Sequence, residues 1–593
     1  MSGLEEKLSE YAETDMYPFH MPGHKRRLQA AFHAMAFGAG AAAPENPLCS
    51  GVTAAPEDPL CSGVTVAPEK PLCPAAPAAP EDPLCSAARL DITEIDGFDN
   101  LHAPEGILHE EMKLAAQVCG AAETWFSVNG STCAILAAIS AAVPRNGMML
   151  IERGCHISVY HAAGLRGLKL RYIPEGMAAF RFQHNPEGMA AFRFQHNPEG
   201  MAAFQFQHNP EGMAAPELQI SHRGPESGGE GNTASSLKRA ESEKISAVVI
   251  TSPSYTGEVR DVRSWAEYAH ALGAVLIVDE AHGAHFSKHP WFPRSAVSQG
   301  ADVVVQSLHK TLPALTQTAL LHRVTERVSG EALSHFLDVY ETSSPSYLLL
   351  ASMTRCIHRM AERGEGYFEP YVGLLKKLRS ELSGLRHMRL AGSEDEIAAG
   401  LYDPGKLFIQ VRDHVYCSLL DREELSGPVL YDLLRLRYHL QPEMKTPDSV
   451  LLMTSPADSA EGFERLSAAL REIDRNAYRP VPAGSGDPDF GNAALPGFES
   501  QPDGSGFPSC AMTITEAEDR PRETILLDEA QNRISASYVI VYPPDSPLIV
   551  PGEVFDSGLI GRIHALRRNG LTVTGLQQDA SGRSCVRVIR ERS

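Results

Sequence analysis

Four stretches of this sequence each end an apolar run with residues that can do chemistry. In VVVQSLHKTL, residues 303–312, three valines lead into Ser307, His309 and Lys310. A lysine at the end of an apolar strand loses hydration, which favours its neutral amine, and a neutral amine attacks aldehydes. In VLIVDEAHGAHF, residues 275–286, Asp279 ends a wholly apolar run. A carboxylate there needs a cationic or hydrogen-bonding partner, and the small Ala281 beyond it lets a flat ligand lie close. In IERGCHISVYHA, residues 151–162, His156 and Ser158 follow another apolar run, where an imidazole can stack on a planar ring or ligate a metal. In WFSVNGSTCAILAAI, residues 125–139, Gly130 permits a tight turn and Ser131 and Thr132 open an apolar helix. Free N–H groups and the dipole at that helix start favour a phosphate.

Taken singly, each stretch has an ordinary reading: a helix cap, a loop histidine, a capping aspartate, a solvated lysine. A strand-end aspartate also serves nucleotide-binding sites, but no GxxxxGK[ST] loop occurs in the chain. Together the four supply a phosphate cradle, a ring-stacking histidine, an anion for a pyridinium nitrogen and a lysine for an aldehyde. That set matches what pyridoxal 5'-phosphate requires.

Such residues need elements to hold them. Hydrophobic runs predict strands over 125–128, 148–151, 247–251, 275–279 and 302–306, with helices over 108–122, 132–143 and 262–272. Alternation of apolar strands with helices implies an α/β fold with a mostly parallel sheet, and ligands bind beyond the carboxyl ends of such strands. After Ser346 the pattern turns helical, with Leu374, Leu375, Leu378 and Leu382 on one face and Gly384 as a C-cap. Strands over 406–411 and 449–453 and a helix over 461–473 complete a smaller α/β unit. Runs over 534–542 and 548–550 mark a small third α+β unit. The implied division is an N-terminal arm over 1–100, a large domain over 101–345, a small domain over 346–480, a linker over 481–507 and a C-terminal domain over 508–593.

With 593 residues the chain is too long for one compact core. A net charge of -21 argues against nucleic acids and anionic membrane surfaces as partners. MSGLEEKLSEYAETD has no apolar core of a secretory signal, and no apolar run approaches the roughly 20 residues of a spanning helix. The eleven cysteines form no CxxC pair and no zinc-like spacing, so reduced thiols, a cytoplasmic setting and no metal are expected.

Two tandem repeats interrupt the pattern. One, of the type AAPEDPLCSGVT, places Cys49, Cys61, Cys73 and Cys85 every 12 residues; the other, PEGMAAFRFQHN, repeats from Pro174 with the same period. Spaced cysteines, or His184, His196 and His208, could bind metal, but recent duplication within surface loops is the simpler account. Proline keeps the first repeat out of helices and ladders, and the second is too short per unit for a solenoid. Disorder is therefore expected over about 41–88 and 174–243, the latter including the Gly/Ser-rich stretch 221–243.

Beyond these strand ends, FHMPGHK (19–25), DITEIDGFDNLHAPEGIL (91–108), FSVNGST (126–132), CHISVYHA (155–162), DEAHGAHF (279–286), SLHKTLPALTQTA (307–319), TSSPSYLLLAS (342–352) and YVIVYPPDSPLIVPGE (538–553) run in one order along nearly the whole chain. In these stretches the sequence resembles the ornithine/lysine/arginine decarboxylase family of fold-type-I pyridoxal-phosphate enzymes, in its short form without an N-terminal wing. The resemblance implies that Lys310 bears the cofactor, Asp279 pairs with the pyridine nitrogen and His156 stacks on the ring. It implies that Ser131, Thr132, Ser307 and His309 surround the phosphate, with Ala281 and His282 also against the cofactor. It implies a homodimer or larger homo-oligomer in which Thr342 or Ser343 reaches the partner's phosphate. A glycine common in the family after the phosphate-turn hydroxyls is Ala134 here.

The activity implied is decarboxylation of a basic amino acid, arginine to agmatine first, lysine or ornithine as alternatives, with Lys310 or His309 returning a proton to the substrate. Glu105 and Glu553 are acidic candidates for the distal cation. A fold-type-I aminotransferase shares the lysine and aspartate; it would carry a C-terminal arginine for the substrate carboxylate, whereas Arg587 and Arg590 lie in SCVRVIRERS, which reads as a basic tail. A non-catalytic paralogue is the third reading.

Overall fold

A computed structural model describes residues 15–21, 91–173, 181–184, 190–193, 202–205, 219–222, 244–420, 424–479, 507–542 and 545–591. The first repeat and its four cysteines, the glycine- and proline-rich linker up to 506, and His196 and His208 lie outside these residues; of His184 only the backbone is described.

The large unit is built on seven strands: β1 (Glu123–Ser127), β2 (Met148–Ile151), β3 (Lys169–Tyr172), β4 (Ile245–Thr251), β5 (Val275–Asp279), β6 (Val303–Ser307) and β7 (Ala319–Arg323). Their order in the sheet is β1-β7-β6-β5-β4-β2-β3. Neighbours from β3 to β6 pair in parallel, and β7 runs antiparallel to both β6 and β1. The parallel strands therefore share one carboxyl-end rim. Alternation puts successive side chains on opposite faces. Ile277, Val303 and Val305 pack with helices α1 (Gly130–Ala142) and α2 (Ile157–Arg166), while Leu276, Val278 and Val304 pack with Trp265 of α3 (Val262–Ala271). With both faces covered, the strands read as continuous apolar runs, which is why β2 and β5 match their expected bounds.

Val303–Ser307 feeds a single helical turn, α4 (Leu308–Thr311). The smaller unit holds a four-stranded antiparallel sheet including β8 (Lys406–Val411) and Ser449–Met453. Helix Glu369–Leu382 buries Leu375, Leu378 and Leu382 against it. That helix ends on Ser383 in a right-handed conformation, so Gly384 is not the left-handed cap expected; the turn needs no positive φ. A short strand, Tyr17–Phe19, pairs in parallel with Leu440–Pro442, and the Tyr17 hydroxyl donates to Asp458 Oδ1 at 3.1 Å. The N-terminal arm thus docks on the small unit.

Two expectations change. Within 174–243, expected to be disordered, Arg181–His184, Ala190–Arg193, Ala202–Gln205 and Gln219–His222 form a four-stranded antiparallel sheet, with Phe182 opposite Phe192 and Phe192 opposite Phe204. Each copy is too short to fold alone, but near-identical copies of a β-prone segment carry matching registers and pair with one another. SCVRVIRERS is not a basic tail: Ser584–Ile589 is the middle strand of a C-terminal sheet, with Cys585, Val586 and Val588 buried. Its apolar residues Cys585, Val586, Val588 and Ile589 are buried and outweigh the one arginine within the strand, Arg587, which is exposed; Arg590 follows the strand's end.

Candidate active site

The strand-end residues converge on the rim. Lys310, on α4, places Nζ 3.1 Å from His282 Nε2. Burial pulls its amine below the ordinary lysine value, and the carboxylates of Asp279, Glu443 and Asp545 offset part of that shift. Asp279, at the end of β5, is buried; Ala281 N–H donates to its Oδ1 at 3.1 Å. Among the described residues Oδ2 meets no donor, which leaves it for a ring N–H. Burial raises this carboxyl, and the Lys310 charge works against the rise.

His156 is the N-cap of α2, its Nδ1 2.8 Å from Ser158 Oγ and accepting the Ser158 N–H at 3.2 Å. Burial, then Lys310 and His161, lowers its pKa to about 3, so the imidazole is neutral and held in one orientation. Ser307 is fully buried and its hydroxyl has no hydrogen-bond partner; an orphaned buried donor at a strand end fits an anion. His309 donates from Nδ1 to the Thr318 carbonyl at 3.0 Å, which fixes the orientation of its ring. Ser131 and Thr132 sit in the first turn of α1, whose cap Asn129 makes no side-chain capping bond, and Gly130 turns the chain at φ 77°. Ala134 is buried within a regular helix, so the alanine is accommodated. This residue set fits pyridoxal phosphate.

Thr342 and Ser343 follow helix Gly330–Tyr340. The Thr342 carbonyl accepts from His102 Nε2 at 2.7 Å, and Glu341 beside it takes Ser127 Oγ and Val128 N–H at the start of the phosphate turn. No hydrogen bond joins Thr342 or Ser343 to Lys310, His282 or Asp279 within this chain. Glu105 is exposed, and its N–H donates to Asp99 Oδ1 at 3.0 Å. Glu553 is committed elsewhere: it binds the buried Arg153 through both oxygens, at 2.5 and 2.9 Å, and accepts from Tyr172 and Val550 N–H. It is therefore not a receptor for a substrate cation.

Four residues of the site escape the strand-end pattern. Tyr255 meets His282 edge-on, ring centroids 4.8 Å apart, and donates to Glu443 Oε1 at 2.5 Å. Glu443 also takes the Met21 N–H at 2.9 Å. Asp545, on the C-terminal unit, has φ 64° and accepts the Ile157 N–H with its carbonyl. Lys406 Nζ lies 2.6 Å from His282 Nδ1. Tyr255 follows the end of β4, so the strand-end rule extended one strand further would have found it. Glu443, Asp545 and Lys406 come from other units and carry no local signal. Among the described residues no cluster of three or more metal-ligating side chains occurs, and no helix is long and apolar enough to cross a membrane.

Comparison with known proteins agrees with this geometry. The family model described as Orn/Lys/Arg decarboxylase, major domain, matches residues 86–192 and 226–460, and that for the C-terminal domain of the same family matches 498–588. The match begins at the end of the first repeat, and its gap, 193–225, covers the later copies of the second and the start of the polar stretch after it, as inserted segments would give. An arginine decarboxylase of Bacillus subtilis (strain 168) is 31% identical over 507 residues, covering 85% of this chain and 89% of that protein. One from Bacillus anthracis is 27% identical over 491 residues, covering 82% and 86%. Among solved structures, lysine decarboxylase A from Pseudomonas aeruginosa aligns with a TM-score of 0.59 at 18% identity, over 86% of this chain and 76% of that one. The E. coli constitutive lysine decarboxylase gives 0.56 at 18%, over 82% and 74%. At such identities the structural likeness is one of fold, the fold-type-I architecture expected from the sequence.

Proposed function

We propose that this chain, which belongs to the Orn/Lys/Arg decarboxylase family, converts arginine to agmatine and CO2 with pyridoxal phosphate carried by Lys310. The observation that supports this most directly is that Lys310, His282, Asp279 and His156 share one rim while two carboxylates of other units, Glu443 and Asp545, act on the Lys310 amine.

When bound, the cofactor ring supplies an electron sink for the pair released as CO2 leaves. Asp279 Oδ2 would hold the proton on the pyridine nitrogen. The neutral His156 imidazole would lie against the ring face, with Ala281 leaving room on the other. Ser131, Thr132, Ser307 and His309 would hold the phosphate. Lys310 or His309 would return a proton to the substrate α carbon. Glu443 and Asp545 would take the distal cation, and two anchored ends orient the carboxylate to be lost. A planar guanidinium with five donors suits a pair of carboxylates better than an ammonium does, and the curated relatives above carry the name arginine decarboxylase. We also place Thr342 and Ser343 at a homodimer interface, toward the partner's phosphate, and the domain boundaries near 345, 480 and 507.

Incubating the holoenzyme separately with arginine, lysine and ornithine tests the assignment. Agmatine as the main product is expected. Cadaverine or putrescine as the main product overturns the choice of arginine, and a keto acid without CO2 release overturns decarboxylation.

A further inference from the structure

Lys406 opens β8, a strand buried along its whole length, and is itself 1% exposed. A buried ammonium is costly unless its surroundings compensate. Its Nζ lies 2.6 Å from His282 Nδ1, 3.6 Å from Met453 Sδ and 5.4 Å from the centre of the Tyr255 ring. The Asp403 carboxylate, bonded to His285 Nε2 and the Gly405 N–H, is stabilised in turn by the Lys406 charge. On the far side of the same imidazole, His282 Nε2 meets Lys310 Nζ at 3.1 Å. One ring bridges two lysines.

A neutral imidazole has one N–H and one lone pair. Both lysines therefore cannot donate to it. If one ammonium donates to the lone pair, the other lysine receives the N–H and must be a free amine. Protonating the ring instead would make both lysines acceptors and move the charge from an amine to the less basic imidazole, in a buried position. The shorter of the two contacts is at Lys406, as a charge-assisted bond would be, and both the Tyr255 ring face and Asp403 favour an ammonium there.

We propose that Lys406 is a positioning residue for the cofactor lysine: its ammonium fixes His282 as the Nε2–H tautomer, which donates to Lys310 and keeps that amine unprotonated and aimed for attack on a carbonyl. This rests on Lys310 being the cofactor-bearing residue and assigns two further residues to that task. The other charged groups facing the lysines are Asp279, Glu443 and Asp545, which favour an ammonium at Lys310, and the imidazoles of His156 and His309, which face His282. Burial also lowers the Lys310 amine, so the bridge and burial act together against the three carboxylates.

The test is capture of pyridoxal 5'-phosphate by full-length protein stripped of cofactor, followed by visible absorbance between about pH 6 and 9, with the attached residue identified by borohydride reduction and peptide mass spectrometry. Dividing each variant's rate by the wild-type rate cancels the cofactor's own titrations. With Lys406→Met, the ring loses the charge that fixes its tautomer, and the Lys310 amine is protonated more readily. Capture relative to wild type then falls by about tenfold toward the acid end of that range. Lys406→Arg keeps the charge and stays near the wild-type profile. His282→Leu, which cannot bridge the two lysines, follows Lys406→Met. If Lys406→Met fails to fold, as judged by circular dichroism, His282→Leu decides in the same direction. Wild-type profiles for Lys406→Met and His282→Leu overturn the inference. A wild-type adduct at a residue other than Lys310 overturns the proposed function instead.

Discussion

Replacing Glu553 by leucine should unfasten the C-terminal unit from the rim of the main sheet. Arg153 follows β2 and is only 8% exposed, Glu553 only 1%. The pair makes two hydrogen bonds, at 2.5 and 2.9 Å, and the arginine also donates to the Tyr172 hydroxyl at 2.6 Å and the Leu548 carbonyl at 2.8 Å. Its guanidinium cannot shed its proton: burial opposes the charge, but Glu553 and the tyrosines hold its pKa well above the ordinary value. Without Glu553 the charge stays buried and unpaired, and breaking a buried pair from one side costs about 3–5 kcal/mol. That range includes the acceptors lost by Tyr172 and Val550 N–H, about 1 kcal/mol each. Removing both charges, as Arg153→Met with Glu553→Leu, should recover most of the loss, because the double variant leaves no buried charge unpaired. Urea unfolding followed by circular dichroism at fixed cofactor concentration measures all four corners of the cycle. Single variants that each cost less than about 1 kcal/mol, or a double variant no better than the worse single, refute the reasoning.

Lys310→Ala should abolish both turnover and the visible cofactor absorbance; an active, yellow variant removes Lys310 from its role. Asp279→Ala should lower kcat by at least about a hundredfold while the fold persists, and unchanged turnover would discard the electron-sink account. His322 is fully buried between Thr124 Oγ1 and Gln306 Oε1, and burial lowers its pKa to about 3. The unfolded chain then binds the extra proton between about pH 3 and 6.5, so this stability is present above the unfolded value and is lost as pH falls. Relative to His322→Asn, the wild type should lose about 2 kcal/mol more between pH 7 and 5, read from urea curves at each pH; parallel curves would contradict the shift.

Five of the large sheet's seven strands are legible as apolar runs, and a rim residue such as Asp279 or Lys310 stands out where the run stops; β3, at the sheet edge and half exposed, and β7, which ends in His322 and Arg323, are not. His156, Ser307 and His309 were found the same way. Lys406 was not, because a lysine at the first position of a strand looks like any solvated strand start; only the tertiary fold shows it enclosed beside His282. Glu443 and Asp545 reach the rim from the small and C-terminal units, and no spacing in the sequence links them to Lys310. Glu553 was noticed as an acid near the end of the chain, but its partner lies about 400 residues earlier, a distance over which local pattern says nothing. The sheet formed by the second repeat is hidden for a related reason: one unit alone is too short to fold, and its stability comes from the neighbouring copy.

The loop that carries Asp545 also holds the start of α2, through the Ile157 N–H to the Asp545 carbonyl and from Ser546 Oγ to the Gly154 carbonyl. The cradle around His156 is therefore closed by residues synthesised long after it. A chain that has emerged only as far as the small unit cannot close this corner, however well its main sheet has formed. Loading with vitamin B6 should accordingly wait for the segment around Asp545, and chains cut short before it should emerge colourless.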